Sequence, residues 1–442
     1  MLLGSAAVER LAALRRFASG RSRFRRNFLS VARANLLAQV ILLVAAPILT
    51  RLFAPEAFGL AAYFTTALQL LATFCTARYE WSMPNTRNRQ SAAALFVASL
   101  FAIALTVSLT LLVCLRPPAL LTAWQGWRDL GALVYLLPFA LIGVGVSQVF
   151  QGWFVREGDL TAVSRMKIAQ SVGNAGGGVT LGLLGTGALG LILATAGSAW
   201  LGITTLALHA RRLLGPLRRL RPRRVLVLAR RYLPDALLSS SVSLLNVLSV
   251  TAPIVLLAQH YSTLEIGWYA MMLRLVTTPT VVLSMALAQS FWSRSAELAR
   301  TRRYDELWRL YRRVTALLAV CGIGLLGACA LGPWVVGPIF GERWYGAGEV
   351  LRNLSPMLFG LLVFSPTNHL IVFRKQRLQF LADGARLLSM VAMIAIASKL
   401  DWRFAHAVLA LSLCSLAGHL TLFAIHLGVY RTRRGTAALG SS

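Results

Sequence analysis

The sequence predicts an all-α, polytopic membrane protein of about twelve transmembrane helices in two six-helix lobes, and three observations carry that expectation. First, 57% of the 442 residues are hydrophobic and the mean hydropathy is +0.65, against about 45–50% apolar residues in a soluble globular chain. Second, the apolar residues gather into twelve runs, most near the roughly 20 residues needed to cross a bilayer. Third, positive charge alternates from one connection between runs to the next.

The runs are 31–52, 58–77, 90–115, 130–152, 162–184, 187–210, 232–258, 266–292, 314–340, 350–373, 379–398 and 404–430. With these in place, 36 of the 45 Lys and Arg residues fall on one side and 6 on the other. The remaining three, Arg274, Arg352 and Arg386, are counted inside runs, while Arg33, Arg51, Arg165 and Lys167, near the ends of theirs, are counted with the adjoining sides. Cytoplasmic segments carry the excess of Lys and Arg, so both termini are expected on the cytoplasmic side. The net charge of +30 then reports orientation in a membrane, and no nucleic-acid partner is expected. All five cysteines sit in or at the ends of apolar runs without CxxC spacing, so neither disulfides nor a metal site is expected.

The chain divides accordingly. Residues 1–30 form a basic amphipathic segment, with Val8, Leu11, Leu14 and Phe17 at helical spacing among seven arginines, suited to lie on anionic membrane lipids. Residues 31–210 hold the first six runs, 211–231 a basic cytoplasmic linker, 232–430 the second six, and 431–442 a cytoplasmic tail. A weak internal repeat supports the division. FAPEAFGLAAY (53–63) resembles YSTLEIGWYAM (261–271), each with an aromatic residue six positions before a glycine, and Pro47 and Pro253 precede the two turns. Repeats of this kind underlie transporters whose halves rock about a central site, which places a central cavity between the lobes.

Arg274 is the most informative residue. At about 1.5 Å per residue it lies roughly 10 Å inside its run, where a charge costs a few kcal/mol and faces a polar cavity or a partner. Its helical neighbours Ala270, Met271, Thr277 and Thr278 offer no acid. An unpaired cation lining a polar passage points to an anionic substrate; the alternative is an acid or backbone carbonyls on another helix. Asp383 and Arg386 stand i,i+3 and are expected to neutralise each other. Arg352 and Asn353 sit toward the external end of the tenth run, Arg33 and Asn35 open the first, and Arg78 closes the second. These form a basic path into a cavity, or else anchor at the interfaces by snorkelling.

Other signals are weaker. GTGALG (185–190) matches GxGxxG but joins two apolar runs, so it marks no dinucleotide site. Gly173, Gly176, Gly177, Gly178 and Gly182 read as close helix packing. Prolines 47, 138, 253, 279, 356 and 366 read as helix bends. His419 and His426, seven apart, share a helix face and suit a proton relay or an ordinary polar contact. No nucleotide loop or catalytic set is present, and external connections are short, so no enzymatic activity is expected.

Several stretches resemble one family. ANLLAQVILLVAAPILTRLFAPEAFGLAAYF (34–64), ARYEWSMP (77–84), PDALLSSSVSLLNVLSVTAPIVLL (234–257), IGWYAMMLRLVTTPTVVLSMALAQSFW (266–292) and IFGERWYGAGEVLRNLSPMLFG (339–360) resemble bacterial polysaccharide-biosynthesis transporters. These are the O-antigen-type lipid-linked oligosaccharide flippases of the multidrug/oligosaccharidyl-lipid/polysaccharide superfamily. The resemblance implies a V-shaped cavity opening alternately to each side of the bacterial inner membrane. It implies as substrate an undecaprenyl-pyrophosphate-linked, anionic oligosaccharide repeat unit, moved outward for surface or exopolysaccharide assembly alongside other polysaccharide assembly proteins. Arg274 would then grip the pyrophosphate, Arg33, Asn35 and Arg78 would receive it, and Arg352 would act at the outward stage. No cofactor is implied beyond proton or sodium coupling, for which Asp383 and Asp235 are the candidates. The rivals are a drug/cation antiporter on the same fold, disfavoured by the few buried acids, and a polytopic polymerase, ligase or glycosyltransferase, disfavoured by the short external connections.

Overall fold

The structure, a computed structural model, describes residues 33–86, 88–207, 217, 220–301, 303–364 and 376–439. Among these, twelve long helices stand where the twelve apolar runs predict them and no strand occurs. They are α1 (Arg33–Leu52), α2 (Pro55–Phe74), α3 (Arg89–Leu115), α4 (Leu137–Glu157), α5 (Leu160–Leu183) and α6 (Ala188–Ala207), then α7 (Pro222–Leu257), α8 (Thr263–Arg300), α9 (Tyr304–Ala330), α10 (Tyr345–Phe364), α11 (Gln376–Lys399) and α12 (Phe404–Leu439). Nine of the described helices are long and apolar enough to cross a membrane. The other three, α5, α7 and α8, carry polar or basic residues along part of their length.

Helices outlast their apolar runs at the arginine-rich end. Helix α7 begins at Pro222 and carries Arg223, Arg224, Arg230 and Arg231 in its first turns, while α8 continues to Arg300 and α9 starts already at Tyr304. Arg, Leu and Ala are strong helix formers, so nothing in these segments stops the helix at the edge of the apolar stretch. The ninth run, by contrast, is broken: α9 ends at Ala330 and a separate helix, Gly332–Phe340, begins with a proline in its first turn. Pro138 likewise opens α4 instead of bending it. The basic segment 1–30 and Pro366 lie outside the described residues.

Within the first half α5 packs on α6, and α4 on α3 and α6; within the second, α10 packs on α9 and α12, and α11 on α12. Small residues let α5 approach its neighbours: Cβ atoms added at Gly177 and Gly178 would meet Ala194 and Leu49 at 3.5 and 3.0 Å, whereas Gly176 faces open space. The turn from α5 to α6 uses Gly185 and Gly187 at positive φ, which is what the GTGALG stretch supplies.

The halves meet chiefly through α2 against α8, at the arginine-poor end. There Trp344 Nε1 donates to the Thr50 carbonyl at 3.0 Å, and its ring meets Phe58 edge-on with centroids 5.2 Å apart. Thr263 Oγ1 donates to Asp129 Oδ2 at 2.8 Å, Trp124 Nε1 to the Val255 carbonyl at 3.2 Å, and Arg51 Nη2 to the Ile339 carbonyl at 3.3 Å. Each of these contacts joins one half to the other. The result is a closed seam at the end where charge is scarce.

Candidate functional site

Among the described residues, two cavities within the bundle carry clusters of polar side chains. The first, of about 290 Å³, is lined by α1, α5, α6 and one residue of α8. Helix α1 contributes Asn35 and Gln39, and α5 contributes Lys167, Gln170, Ser171 and Asn174, spaced so that one helical face carries all four. Lys167 Nζ donates to Asn35 Oδ1 at 3.1 Å, tying α5 to α1. Gln170 is steadied by Ser147 at 3.3 Å and Asn174 by Thr195 at 3.4 Å.

Arg274 enters this cavity from the second half. Its position is fixed by how α8 begins. Ser262 and Glu265 form a reciprocal capping box, with the Glu265 carboxylate accepting from the Ser262 N–H at 3.0 Å and the Ser262 hydroxyl accepting from the Glu265 N–H at 3.3 Å. Eleven residues further along, at about 1.5 Å each, places Arg274 roughly 16 Å into the helix, near the middle of a bilayer core about 30 Å thick. A narrow crevice between α1 and α8, walled by Leu42, Ala46, Phe58 and Met271, also reaches Arg274. Its side chain is exposed to the cavity and makes no hydrogen bond or ion pair with the described residues. Among the described residues, the lining therefore brings together two cations, several amides and hydroxyls, and no acid.

The second cavity, of about 490 Å³, belongs to the second half. Arg386 Nη2 holds Asp383 Oδ1 at 3.2 Å, the i,i+3 pair expected from the sequence. A third member comes from α12: Arg386 Nη1 lies 3.2 Å from His419 Nε2, and His419 Nδ1 lies 2.8 Å from the Ser415 carbonyl. A carbonyl only accepts, so Nδ1 carries the proton and Nε2 accepts from Arg386. His426 lines the same cavity one heptad later. Aromatic and aliphatic side chains complete the lining, including Tyr269, Tyr311, Phe364 and Phe423.

The remaining sequence candidates are scattered. Arg33 is exposed at the start of α1, whereas Asn35, two residues on, lines the first cavity. Arg78 sits in a left-handed turn after α2 (φ 58°), its guanidinium 5.6 Å from the Trp81 ring centroid and 4.0 Å from Glu80; it lines neither cavity. Arg352 makes an exposed pair with Glu349 at 3.5 Å at the arginine-poor end. The side chain of Asp235, on α7, lies outside the described residues. Lys167, Gln39, Gln170 and Asn174 were not expected from the sequence. The signal for them was present as a polar stripe at 167, 170, 171 and 174, obscured because Arg156 and Arg165 made Lys167 read as part of a connecting loop.

Comparisons with known proteins identify a family and a fold. Residues 48–349 match a family model described as "Polysaccharide biosynthesis protein". No curated protein matches the chain. Among solved structures, the chain is similar to a multidrug resistance MATE family transporter of the MOP superfamily in an inward-facing conformation, with a TM-score of 0.73 at 15% identity over 92% of this chain and 99% of that one. It is also similar to the lipid II flippase MurJ in an inward closed conformation, with a TM-score of 0.63 at 11% identity over 90% of this chain and 87% of that one. At such identities the likeness is one of fold.

Proposed function

The chain belongs to the polysaccharide biosynthesis protein family, and from that premise we propose that it is a flippase carrying a polyprenyl-pyrophosphate-linked oligosaccharide, with undecaprenol as the lipid, from the cytoplasmic to the outer leaflet of a bacterial inner membrane. One observation supports the reading above the rest: Lys167 and Arg274 come from opposite halves to one cavity whose lining, among the described residues, contains no acid. A pyrophosphate carries several acceptor oxygens and more than one negative charge. An ammonium serves it as a compact point charge and a guanidinium as a bidentate donor.

The arrangement also suits a moving site. Lys167 rides on α5 in the first half and Arg274 on α8 in the second, so an anion bridging them is gripped while the halves are approximated. It is released, or handed to water, when they part. The closed seam at the arginine-poor end corresponds, on this reading, to a barrier on the outer side. Amides at Asn35, Gln39, Gln170 and Asn174 replace part of the hydration that the headgroup loses. A cationic drug would meet two like charges in the same cavity, which disfavours the antiporter reading.

The reading is tested by depleting the protein in cells and measuring how much lipid-linked oligosaccharide becomes accessible to a probe confined to the outer side of the membrane. Loss of the accessible pool, with the intermediate accumulating inside, is the expected result. An unchanged accessible pool removes the flippase assignment.

A further inference from the structure

The second cavity has the chemistry of a different part of such a substrate. Resting on the flippase reading above, we infer that it is a saccharide subsite, with Asp383 and Arg386, the latter held in place by His419, reading sugar hydroxyls while the pyrophosphate occupies the first cavity. The two cavities contrast in charge. Among the described residues, the first is lined by two cations and no acid, the second by one cation and one acid that neutralise each other. An anionic headgroup would meet the Asp383 carboxylate in the second cavity, and a cation would find that carboxylate already held by Arg386. A prenyl chain offers no polar group to the partly exposed Asp383–Arg386 pair.

A sugar fits both kinds of lining. Its vicinal hydroxyls donate to a carboxylate and accept from a guanidinium, and Asp383, 36% exposed, keeps acceptor capacity beyond its single contact with Arg386. Gln379 and Ser415 extend the polar wall along the same helix faces. In the same lining, Tyr311 stacks on Phe423 with ring planes 20° apart, and Phe364 meets Phe423 at 5.0 Å between centroids. Such ring faces receive the C–H face of a pyranose. The volume lies within the range of roughly 300–1,000 Å³ typical of small-molecule sites, and an apolar lining with a few placed polar groups is their usual make-up.

The polar cluster is held rigidly. A Cβ on Gly418 would lie 2.5 Å from Arg386 Cγ, and one on Gly360 would lie 3.2 Å from the His419 ring, so two glycines make the space these side chains occupy. His419 is 6% exposed and is oriented by the Ser415 carbonyl. Support of this sort fixes recognition geometry.

The test compares two lipids on the purified full-length protein in phosphatidylethanolamine nanodiscs. One is undecaprenyl pyrophosphate without sugar; the other is the oligosaccharide-bearing form extracted from the cells that make this protein. The double variant Asp383→Asn/Arg386→Gln keeps size and net charge while removing the charge-assisted bonds. It is expected to weaken binding of the sugar-bearing lipid by about tenfold or more and to leave binding of the bare lipid as in wild type. Phe423→Leu, which leaves the ion pair intact, should shift affinity in the same selective direction, and Lys167→Gln should weaken both lipids alike. Equal effects of the double variant on both lipids, or none on either, would overturn the saccharide subsite while leaving the flippase reading standing. Failure of the wild-type protein to bind either lipid would overturn both.

Discussion

Gly59 and Gly267, matched positions of the two repeated turns, pack backbone to backbone: a Cβ added at Gly267 would stand 3.1 Å from the Gly59 nitrogen and overlap the Pro55 carbonyl oxygen. The reverse substitution would press on Thr263, whose Cγ2 would lie 2.8 Å away. Helices α2 and α8 thus approach so closely at the arginine-poor end that neither tolerates a side chain there. The internal repeat is therefore also a contact between the halves.

Gly267→Ala should prop this seam open. Overpacking of a tight contact costs about 1–3 kcal/mol, enough to shift an open–closed equilibrium by about 5–150-fold. A Cys placed at Thr50, now 3% exposed behind Trp344, in a background without the native cysteines, should react faster with an impermeant maleimide from the outer side when Gly267 is Ala. Unchanged reactivity together with full transport would show that the seam does not gate.

Asn35 should respond to charge more than to size. It accepts from Lys167 at 3.1 Å. Asn35→Ala removes one acceptor and leaves both cavity cations, whereas Asn35→Asp pairs Lys167 and cancels one of them. Binding of undecaprenyl pyrophosphate is expected to fall further in Asp than in Ala, by about tenfold between the two. Equal loss in both variants would reduce Asn35 to a packing role.

Arg352 should be nearly silent. Its pair with Glu349 is exposed, 49% and 43% for the two side chains, and exposed ion pairs contribute about 0–1 kcal/mol. Arg352→Ala is expected to preserve transport within about twofold. A loss as deep as that of an Arg274 variant would restore it to the translocation path.

Glu80 gives stability a pH dependence of definite sign. Burial pushes its carboxyl above the usual 4.5, opposed in part by the Thr76 hydroxyl and the Arg78 guanidinium. A raised pKa means that the folded protein holds the proton more tightly than the unfolded chain. The contribution is fully present below the ordinary carboxyl range and is lost as pH rises through the raised value. Thermal unfolding in detergent should therefore show a smaller decline in Tm between acid and neutral pH for Glu80→Gln than for wild type. Parallel profiles would place the ionisation elsewhere.

These residues show what the sequence makes legible and what it hides. Arg274 stood out because one charge interrupts a long apolar run, and Asp383–Arg386 because i,i+3 neighbours on a helix meet by geometry alone. His419 completes that pair from 33 residues away on another helix, a proximity that only the tertiary fold creates. Lys167 was hidden for a different reason: charge counting assigns cations to sides, and a lysine close to a run boundary is counted with the loop even when its helix carries it inward. Arg352 shows the converse, since a cation within a hydropathy window can still sit on the exposed surface of the bundle. The helix ends at Pro222 and Tyr304 were missed because hydropathy marks where lipid begins, not where helical hydrogen bonding stops.

The most direct measurement is of outward-facing lipid-linked oligosaccharide in cells carrying Arg274→Lys or Arg274→Ala at matched membrane levels, each with and without Lys167→Gln. A phosphate held between the two halves requires a cation at 274, so Lys should retain part of the transport and Ala should abolish it. Lys167→Gln should weaken the Lys variant further. Transport at wild-type levels in both Arg274 variants would contradict a headgroup held by Lys167 and Arg274, and the first cavity would have to be read without it.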